Sequence, residues 1–245
     1  MQVTILQWNV WYKENVERVC GVLKKLDADI ICLQELTNGY IKQSHESTWE
    51  YIAHMLGYEF RHHEIPIIKA DDQWLQANAI FSRYPIKSKK SLWLHQPVND
   101  KDPVDQCRGY METGLNINGN LVTVGTTHMS FGIDPEKDGE LEKLLSIVET
   151  HPEQFILAGD FNATPDSRRI SQLAKRLNHV GPPFDQNTWT NKPFDFPDFN
   201  ASTLDWRYDY IFATQDIKVL DASIVNTDVS DHLPVIARVE LPGIG

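Results

Sequence analysis

The first part of the chain combines strand-like and helix-like patterns of apolar positions. Residues 2–10 carry a dense apolar run that predicts a strand entering the core. Residues 15–26 repeat apolar side chains every three or four positions, which predicts a helix with one buried face. Residues 30–33 are all apolar and end at Gln34-Glu35, which predicts a second strand. The opening therefore has the order of a β–α–β unit.

The rest of the chain mixes many short strands with a few helices. Asn118-Gly119-Asn120, between two apolar runs, is a turn sequence typical of a β-hairpin. Residues 181–204 are rich in Pro, Asn, Asp and aromatic residues and are predicted to form a long irregular loop. Helices are predicted at 46–56, 138–149 and 168–177, and strands at 77–82, 86–94, 110–117, 121–128, 154–159, 208–213, 217–225 and 234–240.

These elements predict an α/β (α+β) architecture. Two central sheets would pack face to face as a β-sandwich with helices outside, which gives four layers. No linker-like stretch and no internal repeat divides the sequence, so residues 1–245 are predicted to form a single domain.

The composition is that of a globular protein with an acidic surface. Hydrophobic residues make up 41% of the chain and charged residues 23%. The formal net charge is −11, and such a surface repels phosphate backbones unless metal ions or a basic groove offset it. This disfavours a dedicated duplex-DNA binder. Nucleic acid stays open as a substrate, because bound cations can dominate the local field.

Cysteine usage and the N-terminus bear on the compartment. Cys20, Cys32 and Cys107 are odd in number and two of them lie in apolar runs, so buried thiols in a reducing compartment are expected. The N-terminus does not show a basic segment followed by an apolar one. No apolar run approaches the roughly 18 residues of a membrane span. We therefore expect a cytoplasmic protein without a membrane span, and no feature predicts a protein partner.

Polar residues stand at the ends of apolar strands in several separate segments. A carboxylate inside or beside an apolar strand is costly unless it is paired or binds a cation. One such residue could cap a turn, but several segments of this kind predict strand ends that converge on one site. The residues are Asn9, Glu35, His128, Asp160, Asn162, Asp209, Asp231 and His232.

The residue types in this set indicate a hard cation. Carboxylate and amide oxygens suit Mg²⁺ or Mn²⁺, and Mg²⁺ commonly takes one or two protein carboxylates and keeps its waters for a substrate phosphate. No cysteine pair has zinc spacing, and the His-Glu-x-x-His pattern does not occur. Phosphoester hydrolysis also needs an oriented water and charge stabilisation, which Asp, Asn, His and Arg can supply.

The motifs that carry these residues resemble the endonuclease/exonuclease/phosphatase superfamily. The resemblance spans residues 8 to 235 and rests on the order of the motifs, since any one tripeptide is weak. Asn78-Ala79-Ile80-Phe81-Ser82-Arg83-Tyr84-Pro85-Ile86 also looks like a strand–turn–strand segment of the family. The ordered motifs are Trp8-Asn9-Val10, Leu33-Gln34-Glu35, Thr127-His128-Met129, Gly159-Asp160-Phe161-Asn162, Arg207-Tyr208-Asp209-Tyr210-Ile211 and Ser230-Asp231-His232-Leu233-Pro234.

The resemblance implies a DNase I-like fold and a metal-dependent phosphoesterase. It implies that Glu35 binds Mg²⁺ or Mn²⁺, with Asn9 beside it and Asp231 contributing from the last motif. Arg108, in Gln106-Cys107-Arg108-Gly109-Tyr110, matches a phosphate-contacting arginine of the family.

The catalytic roles are implied in the same way. Asp160 would orient or deprotonate the attacking water with help from Asn162. His232 would stabilise the phosphoryl group while Asp209 orients its ring, and His128 would act from the other side.

This sequence departs from one branch of the family, which narrows the range of expected substrates. AP endonucleases carry an acidic residue two positions after the first Asn, where this chain has Trp11. The loop 181–204 contains one cation, Lys192, and several large aromatic residues, which suits stacking or apolar contact better than a phosphate backbone. A small or flexible phosphoester is therefore favoured, with Trp189 as a substrate contact. The aromatic residues, which could equally serve local packing, are Trp189, Phe194, Phe196 and Phe199.

Three alternatives stay open or are weighed against this reading. One is a nuclease acting on DNA or RNA, and another is a catalytically silent binding module on the same fold. A calcineurin-like metallophosphatase would need an early Asp-x-His motif, which the sequence lacks. His62-His63-Glu64 is interpreted as a solvated loop, the lysines at 87, 89 and 90 as a solvated strand face, and Arg207 as a surface ion pair or a residue of the site rim.

Overall fold

A computed structural model describes residues 1–38, 47–69, 72–96, 106–132, 138–196 and 199–243. In the described residues the helices are α1 (Val16–Leu26), α2 (Thr48–Leu56), α3 (Gly139–Glu149) and α4 (Arg168–Ala174). The strands are β1 (Gln2–Asn9), β2 (Ile30–Thr37), β3 (Glu59–Lys69), β4 (Asp72–Ser82), β5 (Ile86–His95), β6 (Arg108–Ile117), β7 (Asn120–His128), β8 (Phe155–Asp160), β9 (Asn178–His179), β10 (Phe194–Phe196), β11 (Phe199–Ala201), β12 (Asp209–Ala213), β13 (Lys218–Ile224) and β14 (Val235–Glu240).

Two six-stranded mixed sheets form the centre of the protein. Sheet I has the order β13-β14-β1-β2-β4-β3, and sheet II has the order β5-β6-β7-β8-β12-β9. Strands β1 and β2 are parallel in sheet I, and β7 and β8 are parallel in sheet II. The remaining strand pairs in both sheets are antiparallel.

Three hydrophobic clusters confirm the predicted four layers. One cluster fills the space between the sheets and includes Ile5, Ile30 and Ile156. The second packs α1 and α2 on the outer face of sheet I, and the third packs α3 and α4 on the outer face of sheet II. The two sheets and their flanking helices thus confirm the DNase I-like fold class.

Local sequence explains where the first helix begins and ends. The side chain of Asn15 accepts a hydrogen bond from the backbone N–H of Glu17, which caps the start of α1. Asp27 adopts a left-handed φ of 49° at the other end, where its backbone N–H bonds to the Leu23 carbonyl. Val19, Cys20 and Leu23 are buried, as the apolar stripe predicts.

The structure differs from the sequence-based elements at β3. No strand is predicted there, and His62-His63-Glu64 is interpreted as a loop, but this tripeptide lies within a strand that pairs with β4 along its whole length. Its side chains lie outside the described residues. β3 is the edge strand of sheet I, where Pro66 is tolerated, and the polar residues and proline hide the usual alternation.

The loop predicted at 181–204 also contains regular structure. Strands β10 and β11 form a small antiparallel pair inside it, and Trp189 makes isolated β-bridges to Trp206 and His232. The lysines at 87, 89 and 90 are solvent-exposed on β5, as expected. Among the described residues, no helix is both long enough and apolar enough to cross a membrane.

Candidate functional site

Strand register brings three predicted site residues into one row at the end of sheet II. His128 is aligned with Asp160 across β7 and β8, and Asp160 is aligned with Asp209 across β8 and β12. Adjacent strands lie about 4.8 Å apart, so side chains at these positions are neighbours. The ends of three strands therefore place an imidazole and two carboxylates side by side.

Sheet I supplies the facing residues from β1 and β2. Asn9 ends β1, and the neighbouring strand carries Glu35 within a bulge between Leu33 and Leu36. Glu35 has a left-handed φ of 60°, which is rare for a residue with a long side chain and typical of strained functional positions. The bulge takes Glu35 out of the regular ladder, and such bulges commonly re-aim a side chain beside a site.

The carboxylate of Asp160 is the centre of the site. Its Oδ2 lies 3.0 Å from Asn9 Nδ2, 3.5 Å from His128 Nε2 and 3.7 Å from His232 Nε2. Its Oδ1 accepts a hydrogen bond from the backbone N–H of Asn162 at 2.9 Å. Burial raises the pKa of Asp160 to about 7, with Asp209 adding to the rise and His232 opposing it. An amide and two imidazoles from three separate motifs thus converge on one carboxylate oxygen.

His232 and Asp209 form the predicted pair. Nδ1 of His232 donates to Asp209 Oδ2 at 2.8 Å, and both side chains are buried. Burial by itself would lower the pKa of His232, but the carboxylates of Asp209, Asp160 and Asp231 outweigh it and raise the pKa to about 10. The ring is therefore held as an imidazolium with its Nε2–H directed to the Asp160 side of the site.

His128 has the opposite electrostatic environment. Burial and the positive charges of Arg108 and His232 hold its pKa well below the ordinary value for histidine. Arg108 itself faces Glu140, Glu35 and Asp160, whose charges oppose the lowering of its pKa by burial. Among the described residues, the Nε atom of Arg108 is buried without a hydrogen-bond partner. The two histidines of the site thus differ in charge, one neutral and one cationic.

Glu35 and Asp231 form an acidic pair. Burial raises the pKa of Glu35, and the charge of Asp231 raises it further. Glu35 accepts hydrogen bonds from Asn9 Nδ2 at 3.0 Å and from the backbone N–H of Tyr12 at 3.1 Å. In the described part of the chain, neither carboxylate forms a salt bridge with lysine or arginine. Two neighbouring carboxylates without a lysine or arginine salt bridge fit a hard divalent cation.

A second group of possible metal ligands overlaps the histidine pair. Asp160, Asp209 and His232 each offer one ligand atom within 4.8 Å of the others. His232 Nδ1 already donates to Asp209, however, and Mg²⁺ prefers an all-oxygen donor set. The donor chemistry therefore favours Glu35 and Asp231 as the residues that could hold such an ion.

The orientation of Asn9 was not predictable from the sequence. Its Nδ2 lies between Glu35 and Asp160 and donates to both, while its Oδ1 accepts from the backbone N–H of Trp11 at 3.1 Å. An amide placed between two carboxylates must present its nitrogen to them. Asn9 lies beside Glu35 as expected and in this orientation holds both carboxylates, and its predicted contact with a metal stays a prediction.

Trp189 is placed next to the site and away from solvent. It is 3% exposed, its Nε1 donates to Asp231 Oδ2 at 3.2 Å, and its ring centroid lies 6.1 Å from that of His232. These contacts favour a role in holding Asp231, and the predicted contact of Trp189 with substrate stays a prediction.

Several residues that hold the site residues in place were not predicted from the sequence. Gln7 and Gln34 form a reciprocal amide pair between β1 and β2, and Gln7 Nε2 donates to Asp209 Oδ1 at 3.3 Å. Ser230 Oγ donates to the Asn9 carbonyl, which ties the last motif to the first. Both glutamines interrupt apolar strands, and the same pattern identified Asn9 as a candidate.

Arg207 has neither of the roles proposed for it. Its guanidinium is buried and donates to the carbonyls of Asp209, Gln186, Pro183 and Pro182. It forms no salt bridge among the described residues and instead fastens the start of the 181–204 segment to β12. The reason is geometric, because five donors on one planar group can satisfy several loop carbonyls at once.

Comparisons with solved structures identify the fold. An endonuclease/exonuclease/phosphatase from Beutenbergia cavernae DSM 12333 matches with a TM-score of 0.74 and 20% identity, over 99% of this chain and 72% of that chain. The human Nocturnin catalytic domain with bound sulfate matches with a TM-score of 0.68 and 16% identity, over 98% of this chain and 95% of that chain. The mannosyl-6-phosphatase Bt3783 of Bacteroides thetaiotaomicron VPI-5482 matches with a TM-score of 0.69 and 15% identity, over 98% and 100%.

The sequence itself gives the family. No curated protein matches the chain in sequence. The model of the Endonuclease/Exonuclease/phosphatase family, in contrast, matches residues 6–232, which include the eight strand-end residues described above. This chain belongs to the endonuclease/exonuclease/phosphatase family.

Proposed function

We propose that this chain hydrolyses phosphoester bonds with a divalent cation, Mg²⁺ or Mn²⁺. The observation that carries the proposal is the convergence of Asn9, His128 and His232 on Asp160 Oδ2. Beside this centre lies the acidic pair of Glu35 and Asp231. A base, a cationic ring and an oxygen-rich ligand pair are the parts that metal-assisted phosphoester hydrolysis requires.

The residues around Asp160 would handle the attacking water. With a pKa raised by burial towards neutrality, the Asp160 carboxylate is suited to accept a proton from that water. Asn162 donates its side-chain amide to the Met129 carbonyl at 2.7 Å, which leaves its Oδ1 for orienting the water. The imidazolium of His232 would donate Nε2–H to a phosphoryl oxygen, with Asp209 holding the ring.

Two further positive groups would stabilise the negative charge on the phosphoryl group. A cation bound by Glu35 and Asp231 would supply Lewis-acid stabilisation of the phosphoryl oxygens. Arg108 would contact the same group, because its Nε lacks a partner among the described residues and it faces Glu35 and Asp160. His128, held neutral, would complete the site from the sheet II side.

The surroundings favour a small or flexible substrate with an apolar part. We call Phe131, Trp189, Phe194, Phe199, Trp206 and Tyr208, together with Ala201, the aromatic cluster. Trp189 connects it to His232, and four of its rings are half-buried and so partly open to solvent. The side chain of Phe196 lies outside the described residues. Such a surface suits stacking or apolar contact.

The single cation of the 181–204 segment is already engaged. Lys192 pairs with Glu14 at 3.0 Å and lies over the ring of Trp11 at 4.7 Å. Asp185, Asp195 and Asp205 of the region are exposed. This distribution of charged side chains disfavours binding along a long phosphate backbone. The match to a mannosyl-6-phosphatase supports the same preference for a small phosphoester.

The proposal is tested by hydrolysis assays of the whole chain with Mg²⁺, with Mn²⁺ and with EDTA. An aryl phosphodiester, an aryl phosphomonoester and plasmid DNA would be compared at matched metal concentration. We expect metal-dependent hydrolysis of a small ester that EDTA abolishes. Asp160→Asn should remove it, whereas Asp166→Asn, an exposed acid in the following turn, should leave it intact.

Two results would support the alternatives. Salt-sensitive cleavage of plasmid DNA with little activity on small esters would identify a nuclease. Absence of metal-dependent hydrolysis across DNA, RNA, phospholipid, inositol phosphate and nucleotide substrates would favour a silent binding module.

A further inference from the structure

A buried ion cluster lies behind the catalytic residues and none of its members belongs to the predicted site. Arg169 of α4 is 6% exposed and contacts Asp138 through Nε and through Nη2, the latter at 3.1 Å. Its Nη2 also lies 3.6 Å from Glu140 Oε2, and both carboxylates are buried. One guanidinium is thus shared between two acids that flank the start of α3.

The same guanidinium holds two turns of the backbone. Nη1 of Arg169 donates to the Ser130 carbonyl at 2.6 Å and to the Phe161 carbonyl at 3.1 Å. Ser130 follows His128 by two residues, and Phe161 lies between Asp160 and Asn162. The turn after β7 and the turn after β8 are therefore fastened to one group.

Glu140 completes the arrangement from the other side. Its Oε2 accepts the backbone N–H of Ser130 at 2.9 Å, and its Oε1 accepts the Ser130 hydroxyl. Arg169 and Glu140 thus hold Ser130 by its carbonyl, its N–H and its side chain. The two turns also contact each other directly, since Asn162 Nδ2 donates to the Met129 carbonyl and Met129 N–H donates to the Asp160 carbonyl.

Stability gives no sufficient reason for such a cluster. Taking charges out of water is costly, and replacing buried ion pairs by apolar residues of similar volume is often neutral or stabilising. A polar network with good geometry is, however, an effective way to fix one arrangement of backbone. What the Arg169 cluster fixes is the spacing between His128 and the Asp160–Asn162 segment.

We propose that Arg169 is a positioning residue for phosphoester hydrolysis, acting through the Ser130 and Phe161 carbonyls on His128, Asp160 and Asn162. The inference rests on the proposed function. Arginine is required because its planar fork reaches two carbonyls and two carboxylates together. The ammonium of lysine presents its donors from one atom and cannot span the same set.

The test compares Arg169→Lys with Arg168→Lys, its exposed neighbour on α4, which pairs with Glu142. Arg169→Lys should lower kcat on an aryl phosphate ester by about 10–100-fold, since misplacement by about 1 Å can reduce rate by that order. KM and the Mg²⁺ midpoint should stay within about twofold, because Glu35 and Asp231 are held elsewhere. Arg168→Lys should match the wild type in every measurement.

A second readout does not depend on activity. The side-chain amide of Asn162 gives ¹⁵N–¹H signals whose shifts report its bond to the Met129 carbonyl. These signals should move in Arg169→Lys and stay in place in Arg168→Lys. If Arg169→Lys does not fold, the pair Arg169→Gln with Glu140→Gln removes one charge of each sign and is measured in the same way.

The outcomes separate the two proposals. A kcat within about twofold of the wild type in a folded Arg169 variant would overturn the positioning role, whatever its effect on Tm. Unchanged Asn162 signals would overturn it as well. If the wild type hydrolyses no ester, the proposed function fails, and the NMR comparison alone decides whether Arg169 sets the position of Asn162.

Discussion

The two sides of the candidate site differ in how their buried carboxylates are paired with positive charge. The acidic side, Glu35 and Asp231, brings two carboxylates together and pairs neither with lysine or arginine in the described part of the chain. The histidine side, built from His128, Asp160, Asp209 and His232, holds its own cation between its own carboxylates. The acidic side has no salt bridge to lysine or arginine among the described residues, whereas the histidine side contains a cationic ring of the fold itself.

This difference indicates a division of labour. Two neighbouring carboxylates without a lysine or arginine partner favour a bound cation, so we expect the acidic side to bind the metal ion. On the histidine side, a carboxylate lies beside a cationic imidazole ring. Such a pair is suited to transfer protons and to stabilise charge that develops on the substrate. Substitutions on the two sides should therefore separate metal affinity from turnover.

The largest effect is expected from Glu35→Gln on the acidic side. This change keeps the shape of the side chain and removes its charge, so Mg²⁺ affinity should fall strongly. Hydrolysis should fall by at least about 10⁴-fold, equivalent to the several kcal/mol that a metal contributes. Calorimetric titration with Mg²⁺ measures the affinity, and Glu17→Gln, an exposed acid in α1, is the control. Unchanged Mg²⁺ affinity would contradict the assignment of Glu35.

Removal of either histidine should lower turnover without changing metal affinity. His232→Ala and His128→Ala are each expected to reduce kcat by about 10²–10⁴-fold, the range for a positioned acid–base or charge-stabilising group. The Mg²⁺ midpoint should stay near that of the wild type. His54→Ala, at an exposed position on α2, is the control. A large shift of the Mg²⁺ midpoint in His232→Ala would instead support a metal held by Asp160, Asp209 and His232.

A smaller effect is expected from Asp209→Asn. The variant removes the charge that holds the His232 ring, and kcat should fall by about 10–100-fold. Because Asp209 acts through His232, the double variant with His232→Ala should be no worse than His232→Ala alone, within about twofold. Steady-state kinetics of the two single variants and the double variant give the coupling. Full activity of Asp209→Asn would show that the pair has no catalytic role.

The smallest effect concerns His179, a half-buried histidine outside the site. Burial, with the charge of Arg207, lowers the pKa of His179 to about 4, whereas the carboxylates around His232 raise its pKa to about 10. The unfolded chain binds a proton at His179 near pH 6.5, well above the folded pKa. Stability should therefore fall as pH drops below about 6.5, by on the order of 2 kcal/mol at about pH 5.

The variant His179→Gln should lose this part of the pH dependence and keep its catalytic activity. Denaturant unfolding at about pH 7 and about pH 5 measures the effect, and His54→Gln is the matched control on an exposed surface. An equal loss of stability on acidification in His179→Gln and the wild type would show that burial does not exclude a proton from this ring.

Sequence patterns predicted a residue's place best where its local sequence context reflects its environment in the folded protein. Asn9 and Asp160 were identifiable because a polar residue at the end of an apolar strand is costly without a partner. The edge strand β3 was missed because Pro66 and neighbouring polar residues hide the alternation that marks a strand. Whether Trp189 packs locally or contacts substrate stayed open, because composition does not distinguish an aromatic residue in a core from one at a surface.

Long-range partners were the least predictable features. Gln7 and Asp209 are 202 positions apart and Arg169 and Ser130 are 39 apart, so no local period relates them. The orientation of Asn9 depends on Glu35 and Asp160, which come from two different sheets. Such contacts exist only after the sheets have packed.

By itself, the sequence determined the order of most strands and helices, the four layers and the identity of the residues at the strand ends, because these follow from periodicity and from the high cost of isolated buried charge. The tertiary structure alone decided that Asn9, His128 and His232 converge on one oxygen of Asp160. It also decided that Asn9 presents its nitrogen to the site and that Arg169 fastens two turns behind it. The physical reason is that charge pairing and hydrogen-bond direction depend on distances of a few ångströms between segments far apart in the chain, and only packing sets those distances.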